Sequence, residues 1–512
     1  MRNLVFVFFI GILISLSSCR KDFEFEPSTG DLTFSKEIVY LDTVFTNIGS
    51  STYTLKVYNK SDKDIKIPKV QLGKGAASKY RMTIDGMTGE DADNSGYGEG
   101  KIFDNVELLA NDSLYVFIET TADIADANPV DFLYTDQIQF DLGANLQTVE
   151  LVTLVQDAIF IYPNRPLGSD VKETLTVLGL EGVEGHTLTD PELNWTNSKP
   201  YVVYGYAAVP AGKNLVIGEG TRVHFHADSG LVIDDGATLN INGQLNDFDA
   251  DGNVTAQHEV TFEGDRLEPS FEDTPGQWGT VLIFSSTDNV INHLTLKNAA
   301  IGLYVVRNDT MDINNPKLNI SDSQFYNCSN YGIAGVNATI KGENIVINSA
   351  GQASLGCLEG GNYNFIHSTF NNNWPSSKQW AVIISNHKVD QTVEFPLSAE
   401  FKNCIIYGTN QFELGLDIIG SSFVPNFSNC LIKHNDNGIS NPNILYNFIR
   451  NEINGNIKNQ NPLFKNTNKN KLNILVDSPA IGKGIFDPSA PFDILGNPRP
   501  SPSDIGAYQY VP

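Results

Sequence analysis

Phe401-Lys402-Asn403 and, 26 residues later, Phe427-Ser428-Asn429 are two copies of one short pattern: an apolar residue, any residue, then Asn. The pattern occurs six times between residues 296 and 429. The other copies are Leu296-Lys297-Asn298, Phe325-Tyr326-Asn327, Val346-Ile347-Asn348 and Phe370-Asn371-Asn372. Successive Asn residues lie 29, 21, 24, 31 and 26 positions apart, a spacing typical of solenoids in which each repeat stacks on its neighbours.

The repeats favour strands over helices. They are rich in β-branched and aromatic residues and are interrupted by Asn and Gly. Asn suits a corner between strands because it tolerates the left-handed conformation, and its amide can bond to the same residue one coil away. The sequence therefore predicts a β-solenoid with Asn327, Asn403 and Asn429 aligned along one edge.

The first residues predict export. Arg2 precedes an apolar run from Leu4 to Leu16, which is too short to span a membrane and is typical of a signal sequence. The tetrapeptide Leu16-Ser17-Ser18-Cys19 resembles the lipobox of bacterial lipoproteins, and this resemblance implies a diacylglycerol on Cys19 and a tethered mature protein. The alternative is ordinary secretion with an incidental Cys.

The residues after Cys19 indicate where the protein is localised. Arg20-Lys21-Asp22-Phe23-Glu24-Phe25-Glu26 resembles the signal that sends lipoproteins of the Bacteroidota to the outer face of the outer membrane, although Phe interrupts the acids. The resemblance implies an outer-membrane protein exposed at the cell surface. The alternative is a solvated linker with no specific role.

Charge and cysteine content exclude several classes of protein. With 34 Lys and Arg against 60 Asp and Glu, the formal net charge is −26, which argues against nucleic acid and anionic lipid as partners. Beyond Cys19 there are four Cys residues, too few for a disulfide framework or a zinc site. Cys328, Cys404 and Cys430 each follow a repeat Asn and are expected to occupy equivalent inward positions. Cys404 and Cys430 would lie on adjacent coils, either as reduced thiols or as a disulfide.

The chain divides by its rhythm of turns and apolar residues. Segments such as Tyr53 to Asn59 and Leu114 to Ile118 alternate in polarity between turn signals, which favours an immunoglobulin-like sandwich of about seven strands. The predicted segments are 1–18 signal peptide, 19–31 tether, 32–157 immunoglobulin-like sandwich, 158–199 connector, 200–460 right-handed parallel β-helix and 461–512 closing segment.

Two further stretches carry a family resemblance. Residues 215–243 place apolar triplets between glycines that can supply the positive φ of corners. The tail contains Asn461-Pro462-Leu463-Phe464, Asp477-Ser478-Pro479-Ala480, Gly496-Asn497-Pro498-Arg499 and Asp504-Ile505-Gly506-Ala507-Tyr508. Residues 195–512 resemble the right-handed parallel β-helix lipoproteins of the Bacteroidota, with a closing segment of the choice-of-anchor Q type. The resemblance implies a pectate-lyase-like solenoid and names no reaction.

Residues suited to catalysis are sparse. A lyase needs a basic residue to take a proton, and Arg222, Arg266, Arg307 and Arg450 form no cluster in the sequence. Arg266, beside Asp265 and Glu268, is the candidate base, with a structural salt bridge as the alternative. Hydrolysis needs two acids across a cleft, and Asp228, Asp234 and Asp235 are the candidates. The alternative is that these acids cap turns at the corners of the solenoid.

One segment predicts a site that binds a cation. Asp247, Asp249 and Asp251 alternate before Gly252, much like the first half of a calcium loop. The expected bidentate Glu is displaced to Glu259, so the alternative is a solvated acidic insertion between coils. Asp91, Asp93 and Ser95 form a weaker version of the same pattern.

Aromatic and His residues give the remaining candidates. Trp374 and Trp380 bracket a loop beside three Asn residues and are candidates for stacking on sugar rings, or they anchor the loop in the core. His224 and His226 flank Phe225 and are expected to form a hydrogen-bonded surface pair in preference to a metal site.

The sequence thus predicts an all-β, lipid-anchored protein with a sandwich and a parallel β-helix. The predicted role is non-catalytic binding or surface structure, with a glycan or another surface polymer as partner. The alternative is a polysaccharide lyase or a glycoside hydrolase, since parallel β-helices commonly handle polysaccharides, an analogy of fold alone.

Overall fold

The computed structural model describes residues 24–92, 94–166, 168–249, 253–306, 316–389, 393–440 and 442–512. The chain divides after Asp157 into two compact units. Cys19, Asp93, Asp251 and Arg307, which the sequence singles out, lie outside the described residues. No helix among the described residues has the length and apolar character needed to cross a membrane.

The N-terminal unit is a sandwich of two sheets. Its described residues form the strands β1 (Glu26–Pro27), β2 (Thr33–Phe34), β3 (Ile38–Phe45), β4 (Tyr53–Tyr58), β5 (Ile65–Leu72), β6 (Tyr80–Ile84), β7 (Ile102–Leu108), β8 (Ser113–Thr120), β9 (Leu133–Phe140) and β10 (Gln147–Gln156). One sheet has the order β1-β5-β9-β10-β3, with β7 also on β5, and the other has the order β2-β4-β8-β6. Alternate residues such as Leu55, Val57, Val116 and Ile118 fill the core between the sheets.

The predicted immunoglobulin-like sandwich is confirmed. Ten strands are found among the described residues where about seven were expected. The additional strands include β1 and β2, which have two residues each and are too short to produce an alternating pattern.

The C-terminal unit winds into a parallel β-helix. One side, here called sheet 1, contains β11 (Ile159–Ile161), β15 (Tyr201–Val203), β18 (Arg222–Phe225), β23 (Val260–Gly264), β26 (Leu294–Lys297), β29 (Gln324–Cys328), β31 (Val346–Ala350), β33 (Thr369–Asn372), β36 (Ile405–Gly408), β39 (Leu431–Ile432) and β40 (Ile457–Lys458), in that order. Each of these strands pairs in parallel with the next, one coil further along the chain.

The other two sides merge into sheet 2. Its strands are β12 (Thr174–Val177), β13 (Leu180–Thr187), β14 (Asn194–Trp195), β16 (Tyr206–Val209), β17 (Asn214–Ile217), β19 (Gly230–Ile233), β20 (Thr238–Asn242), β24 (Trp278–Ile283), β25 (Asn289–Asn292), β27 (Ala299–Val306), β28 (Leu318–Ser321), β30 (Tyr331–Glu343), β32 (Ala353–Ile366), β34 (Trp380–Ser385), β35 (Leu397–Lys402), β37 (Leu414–Asp417) and β38 (Asn426–Ser428). The two sides are continuous because β30 and β32 each run across their shared corner. β30 pairs with both β27 and β28, and β32 with both β34 and β35.

Short elements complete the unit. Two hairpins are β21 (Asp247–Phe248) with β22 (Val254–Ala256), and β41 (Phe464–Asn466) with β42 (Lys471–Ile474). The helix α1 spans Asn447–Arg450, and 3-10 turns across the two units span Gly75–Ala77, Ile124–Asp126, Gly143–Asn145, Asp190–Glu192, Pro269–Phe271, Ile444–Tyr446, Ile453–Gly455 and Thr467–Lys469. The predicted right-handed parallel β-helix is therefore the fold class found.

The core of the β-helix consists of stacked inward side chains. Phe365, Phe401, Phe427 and Phe448 form a continuous stack whose neighbouring ring centroids are 4.8–5.5 Å apart. The first three of these rings are fully buried, and burial of each contributes about 2–3 kcal/mol. Identical residues in equivalent positions of successive coils therefore hold the strands in register.

The predicted single Asn edge is wrong, because four of the six repeat Asn residues lie at two different corners and the other two, Asn348 and Asn372, lie in strands β31 and β33 without a positive φ. Asn403 and Asn429 lie before strands of sheet 1, at a corner where His293, Asp322, Asn344 and His367 also have φ between 47° and 51°. Asn298 and Asn327 lie at the opposite ends of sheet 1 strands, where φ is 67° and 55°. Both corners require the same left-handed backbone, so the same short pattern marks either one.

Residues 158–199, predicted to be a connector, supply the first coils of the β-helix. β11 pairs with β15, β13 with β16 and β14 with β17. Trp195 is buried and stacks on Tyr201, with the ring centroids 4.7 Å apart. Pro and Gly are frequent here because this segment makes several short strands and turns before the regular coils begin.

The four described Cys residues are unpaired thiols buried in the β-helix. Cys404 and Cys430 occupy equivalent positions of adjacent coils, each just before a strand of sheet 1, as expected from the sequence. The expected equivalence is wrong for Cys328, which also points inward but lies at the other corner and therefore does not belong to the same column.

The closing segment covers part of the outer face of sheet 1. Leu472, Ile494, Ala507 and Tyr508 pack on Tyr326 and Val346, and Ile474, Ala480 and Ile505 pack on Ile405 and Leu431. The tail thus lies over strands β29 to β39 and leaves the outer side of β18, β23 and β26 open to a groove.

Candidate functional site

A groove of about 840 Å³ follows the outer face of sheet 1 over β18, β23, β26 and β29. Inward residues of these strands, such as Val223, Phe262 and Leu296, are fully buried, so their neighbours point outward. The register places these neighbours in two columns across the strands. One column is Arg222, Thr261, Thr295 and Gln324, and the other is His224, Glu263, Lys297 and Tyr326.

Three segments form the sides of the groove. Asn246, Val254 and Gln257 come from the insertion that contains the β21–β22 hairpin, and Glu272 and Asp273 come from the loop after β23. The third side is the tip of the β41–β42 hairpin in the closing segment, which contributes Lys469, Asn470 and Lys471. Residues more than 200 positions apart therefore meet here.

Glu259 is held by a chain of neutral donors. Nδ2 of Asn246 donates to one carboxylate oxygen and the Thr295 hydroxyl to the other, both at 2.9 Å. Thr295 accepts in turn from Nε2 of Gln324 at 3.2 Å, and Gln324 accepts from the Tyr326 hydroxyl at 2.6 Å. Because each member orients the next, the network fixes the outer face of three neighbouring strands.

Glu263 lies between two nitrogen-bearing side chains in the second column. Lys297 Nζ is 2.7 Å from one of its oxygens, and Nδ1 of His224 is 3.6 Å from the other. Burial lowers the pKa of His224, although the nearby Glu263 carboxylate opposes this effect. At neutral pH the imidazole is therefore uncharged, and Lys297 is the cation that balances Glu263.

A second cavity, of about 460 Å³, lies on the same face beyond the hairpin. Tyr407, Thr409, Asn371, Asn373 and Phe464 are among its lining residues. Lys433 Nζ is 4.7 Å from the centre of the Tyr407 ring, and the Phe464 ring meets that ring edge-on with the centroids 6.5 Å apart. The hairpin thus separates two polar depressions on one face.

The predicted calcium ligands are described only in part. Asp247 is 3.4 Å from Nε2 of His258, and Asp249 accepts from the backbone and side-chain amides of Asn253. No group of three His, Cys, Asp or Glu side chains that could hold a metal occurs among the described residues. Asp251 lies outside them, so the calcium site stays a prediction. In the weaker pattern, Asp91 accepts from the N–H groups of Ser95 and Gly96.

The predicted catalytic residues do not meet in the groove. Arg266 forms a salt bridge with Glu268 at 3.0 Å and lies over the Phe271 ring. Asp234 accepts from the N–H of Asp235, and Asp235 accepts from Ser286, so both cap a turn. Their geometry matches the structural alternatives drawn from the sequence.

The two Trp residues lie outside both depressions. Trp374 and Trp380 are half-buried, and the carbonyl of Trp374 accepts from Nε2 of Gln379 at 2.9 Å. Thr409, which lines the second cavity, also donates to this carbonyl at 3.5 Å. The loop between the two Trp residues therefore lies beside the second cavity, and glycan contact by either Trp stays a prediction.

The predicted surface pair of His residues is wrong for His224 and correct only in the exposure of His226. His226 is exposed, pairs with Asp265 at 2.7 Å and stacks on Tyr204. His224 is buried, with Glu263 in register beside it on β23 and its Nδ1 3.4 Å from the carbonyl oxygen of Gly264. It therefore belongs to the groove column and not to a surface pair.

Sequence reasoning named Arg222 and Glu259 for other roles and missed the groove that they line together with Thr261, Glu263 and Lys297. Glu259, Thr261 and Glu263 alternate with the buried Val260 and Phe262, a signal of a strand with one polar face. This alternation could have identified the outward side of β23. Lys297 gives no comparable signal, because its partner Glu263 lies one whole coil away in the sequence.

Comparisons with known proteins identify no family. No protein-family model matches the chain, and no curated protein matches its sequence. Similar solved structures include the E. coli chaperone DraB, at 15% identity over 25% of this chain and a TM-score of 0.16, and a PapD-like domain of human CEP192, at 14% identity over 28% and 0.16. The chain covers 57% of the DraB structure and 96% of the CEP192 domain.

A third similar structure is the catalytic unit of a GH87 alpha-1,3-glucanase from Streptomyces thermodiastaticus. It is 10% identical, with 74% of this chain and 72% of that chain covered and a TM-score of 0.30. At these TM-scores none of the three similarities carries an argument about function.

Proposed function

We propose that the groove on sheet 1 binds a glycan without chemical conversion. The observation that carries the proposal is the composition of the lining. Four basic residues, Arg222, Lys297, Lys469 and Lys471, face four acidic ones, Glu259, Glu263, Glu272 and Asp273, among neutral amides and hydroxyls. A sugar hydroxyl both donates and accepts, so a surface that mixes fixed donors and acceptors suits it.

The pairing of the charges supports binding over catalysis. Glu263 is balanced by Lys297, and Asp273 is 3.4 Å from Lys469. Hydrolysis by paired acids requires one carboxyl that donates a proton and another that acts as base or nucleophile. The alternative, a lyase or hydrolase, rests on the column His224, Glu263 and Lys297, which brings together groups able to exchange protons.

A binding assay separates these functions. Residues 20–512 are run in affinity electrophoresis through gels that contain acidic or neutral polysaccharides, with and without calcium. Retardation without new reducing or unsaturated ends supports the binder, whereas product formation identifies an enzyme. Arg222→Ala should weaken binding by about tenfold, and Asn240→Ala, on the outer side of sheet 2, serves as the matched control.

We further propose that a lipid on Cys19 holds the protein at the outer membrane, exposed to the cell exterior where polymeric glycans occur. The proposal rests on the lipobox resemblance in the sequence. Cells that express the protein should incorporate labelled palmitate into it, and Cys19→Ser should abolish the label. Protease digestion of intact cells tests surface exposure, and a fully protected protein would argue for the inner face.

A further inference from the structure

The hairpin tip at residues 467–470 lies directly on sheet 1. Nδ2 of Asn348, on β31, donates to the carbonyl of Thr467 at 2.8 Å and to the side chain of Asn470 at 2.7 Å. Nδ2 of Asn373 donates to the side chain of Asn468 at 2.6 Å. These contacts fix the tip over the strand that follows β29, where the groove stops.

The tip also joins one side of the groove. Asp273, in the loop after β23, is 3.4 Å from Lys469 of the tip and accepts from Nδ2 of Asn327 at 3.2 Å. Asn327 follows Tyr326 at the end of the groove column. The side loop, the tip and the sheet therefore meet at one point and close this end of the groove.

The groove is short, so a polymer that lies along it reaches the closed end. Strands in a sheet lie about 4.8 Å apart, so the path from β18 to β29 spans roughly 14 Å. A linear polymer lying along this path meets the tip at β31. The second cavity begins only on the far side, at Asn371 of β33.

We infer that the groove binds the end of a glycan chain and not its interior. The inference rests on the proposed glycan binding. The terminal unit lies against Lys469, Asn470 and Lys471, whose ammonium and amide groups can bond the hydroxyls that only a chain end presents. The remainder of the chain runs along the two outward columns toward β18.

The test compares polymers of different length at equal sugar mass. Linear α-1,4-glucan, β-1,3-glucan, β-1,4-mannan and xylan are each used intact and after mild acid cleavage to about one tenth of the original length. For a polymer that is bound, chain-end recognition predicts that the half-saturating mass falls about tenfold, because the number of ends rises by that factor. An unchanged half-saturating mass overturns the inference and leaves the glycan-binding proposal standing. Binding to none of the four polymers, and to none of the acidic polysaccharides of the first assay, overturns both.

A hairpin variant supplies the second arm. Replacing residues 467–470 by Asn-Gly gives a two-residue turn between Asn466 and Lys471, which already pair in the hairpin. With the end of the groove open, chain interiors should bind, and the dependence on chain length should disappear. Asn240→Ala should keep the wild-type dependence. A hairpin variant that melts like the wild type and retains the length dependence contradicts the closure.

Discussion

His186 is buried between two carboxylates near the start of the β-helix. Its Nδ1 is 2.8 Å from Glu173 and its Nε2 is 3.1 Å from Glu192. Burial alone would lower the pKa of His186, but the two carboxylates raise it above the ordinary value. Burial likewise opposes ionisation of Glu173, yet hydrogen bonds from His186, Thr187 and Asn164 lower its pKa to about 2.

These shifts predict a pH-dependent first coil. The raised His186 pKa contributes stability that is present below about pH 6.5 and is lost as the pH rises through the folded value. We expect His186→Gln to reduce the free energy of unfolding by about 2 kcal/mol at pH 6 and by clearly less at pH 9. Urea unfolding of the β-helix at both pH values measures this difference. His226→Gln, at an exposed pair, is the control, and an equal loss from His186→Gln at both pH values would contradict the assignment.

Glu413 predicts a fall of stability with rising pH as well, but in a lower pH window than His186. Burial raises the pKa of Glu413 to about 7, although the N–H groups of Asn410 and Ala381 favour its ionised form. Between its unfolded pKa of 4.5 and about 7, the folded protein holds a proton that the unfolded chain has released. Stability from this group therefore falls as the pH rises across that window.

We expect Glu413→Gln to remove this fall, by up to roughly 3 kcal/mol between pH 4.5 and 7.5. The measurement is the difference in unfolding free energy between wild type and variant across the window. Glu400→Gln, on the outer side of β35, is the matched control. Parallel pH curves for wild type and Glu413→Gln would show that the carboxyl does not carry the effect.

At the level of strands and corners, the need for a positive φ explains why the Asn of one sequence pattern occurs at two different corners of the β-helix. Asn403 has a φ of 55°, exchanges hydrogen bonds with the backbone of Ile485 at 2.7 and 2.9 Å, and contacts His367 at 3.0 Å. It thus serves the corner and also attaches the closing segment. The conformation and the hydrogen bonds can be separated by two substitutions.

Asn403→Gly keeps the left-handed corner and loses the side-chain bonds, whereas Asn403→Ala loses both. We expect losses of about 2 kcal/mol for Gly and about 3–4 kcal/mol for Ala, since the left-handed conformation costs a residue with a Cβ roughly 1–2 kcal/mol. Thermal and urea unfolding measure the ranking. If Ala proves as stable as Gly, the backbone conformation does not limit the residue at this corner.

The fold could be predicted because corners and strand polarity are local properties. Gly, Asn and alternating apolar residues mark each strand where it occurs, so the solenoid follows without knowledge of which coils meet. The groove could not be predicted in the same way. Glu263 meets Lys297 only because one coil has a particular length, and Lys469 reaches Asp273 across almost 200 residues. Coil lengths vary with insertions, so the sequence does not fix such partners.

For the molecule as a whole, the closing segment completes the β-helix by covering an apolar strip of its outer surface. Tyr326, Val346, Ile405 and Leu431 point outward from sheet 1, and all are at least nine-tenths buried. A contiguous apolar strip of this kind on an outer surface is stable only when covered. Arg499 adds a polar attachment, since its Nη2 donates to the side chain of Asn344 at 2.9 Å.

Removal of the closing segment should therefore destabilise the β-helix and not merely shorten it. A chain that ends at Gln460 exposes four apolar side chains, and each contributes about 1.5–3 kcal/mol when buried. We expect this chain to bind a hydrophobic dye and to aggregate. In the full chain, Ile505→Asp places a charge against Ile405 and Leu431 and should lower the free energy of unfolding by at least about 3 kcal/mol. Val511→Asp, at an exposed position of the same segment, should change it by less than about 0.5 kcal/mol. Dye binding, sedimentation and urea unfolding measure these outcomes. If the chain ending at Gln460 is soluble and binds no dye, the apolar strip is stable when exposed to water. The closing segment would then be needed only to form the groove.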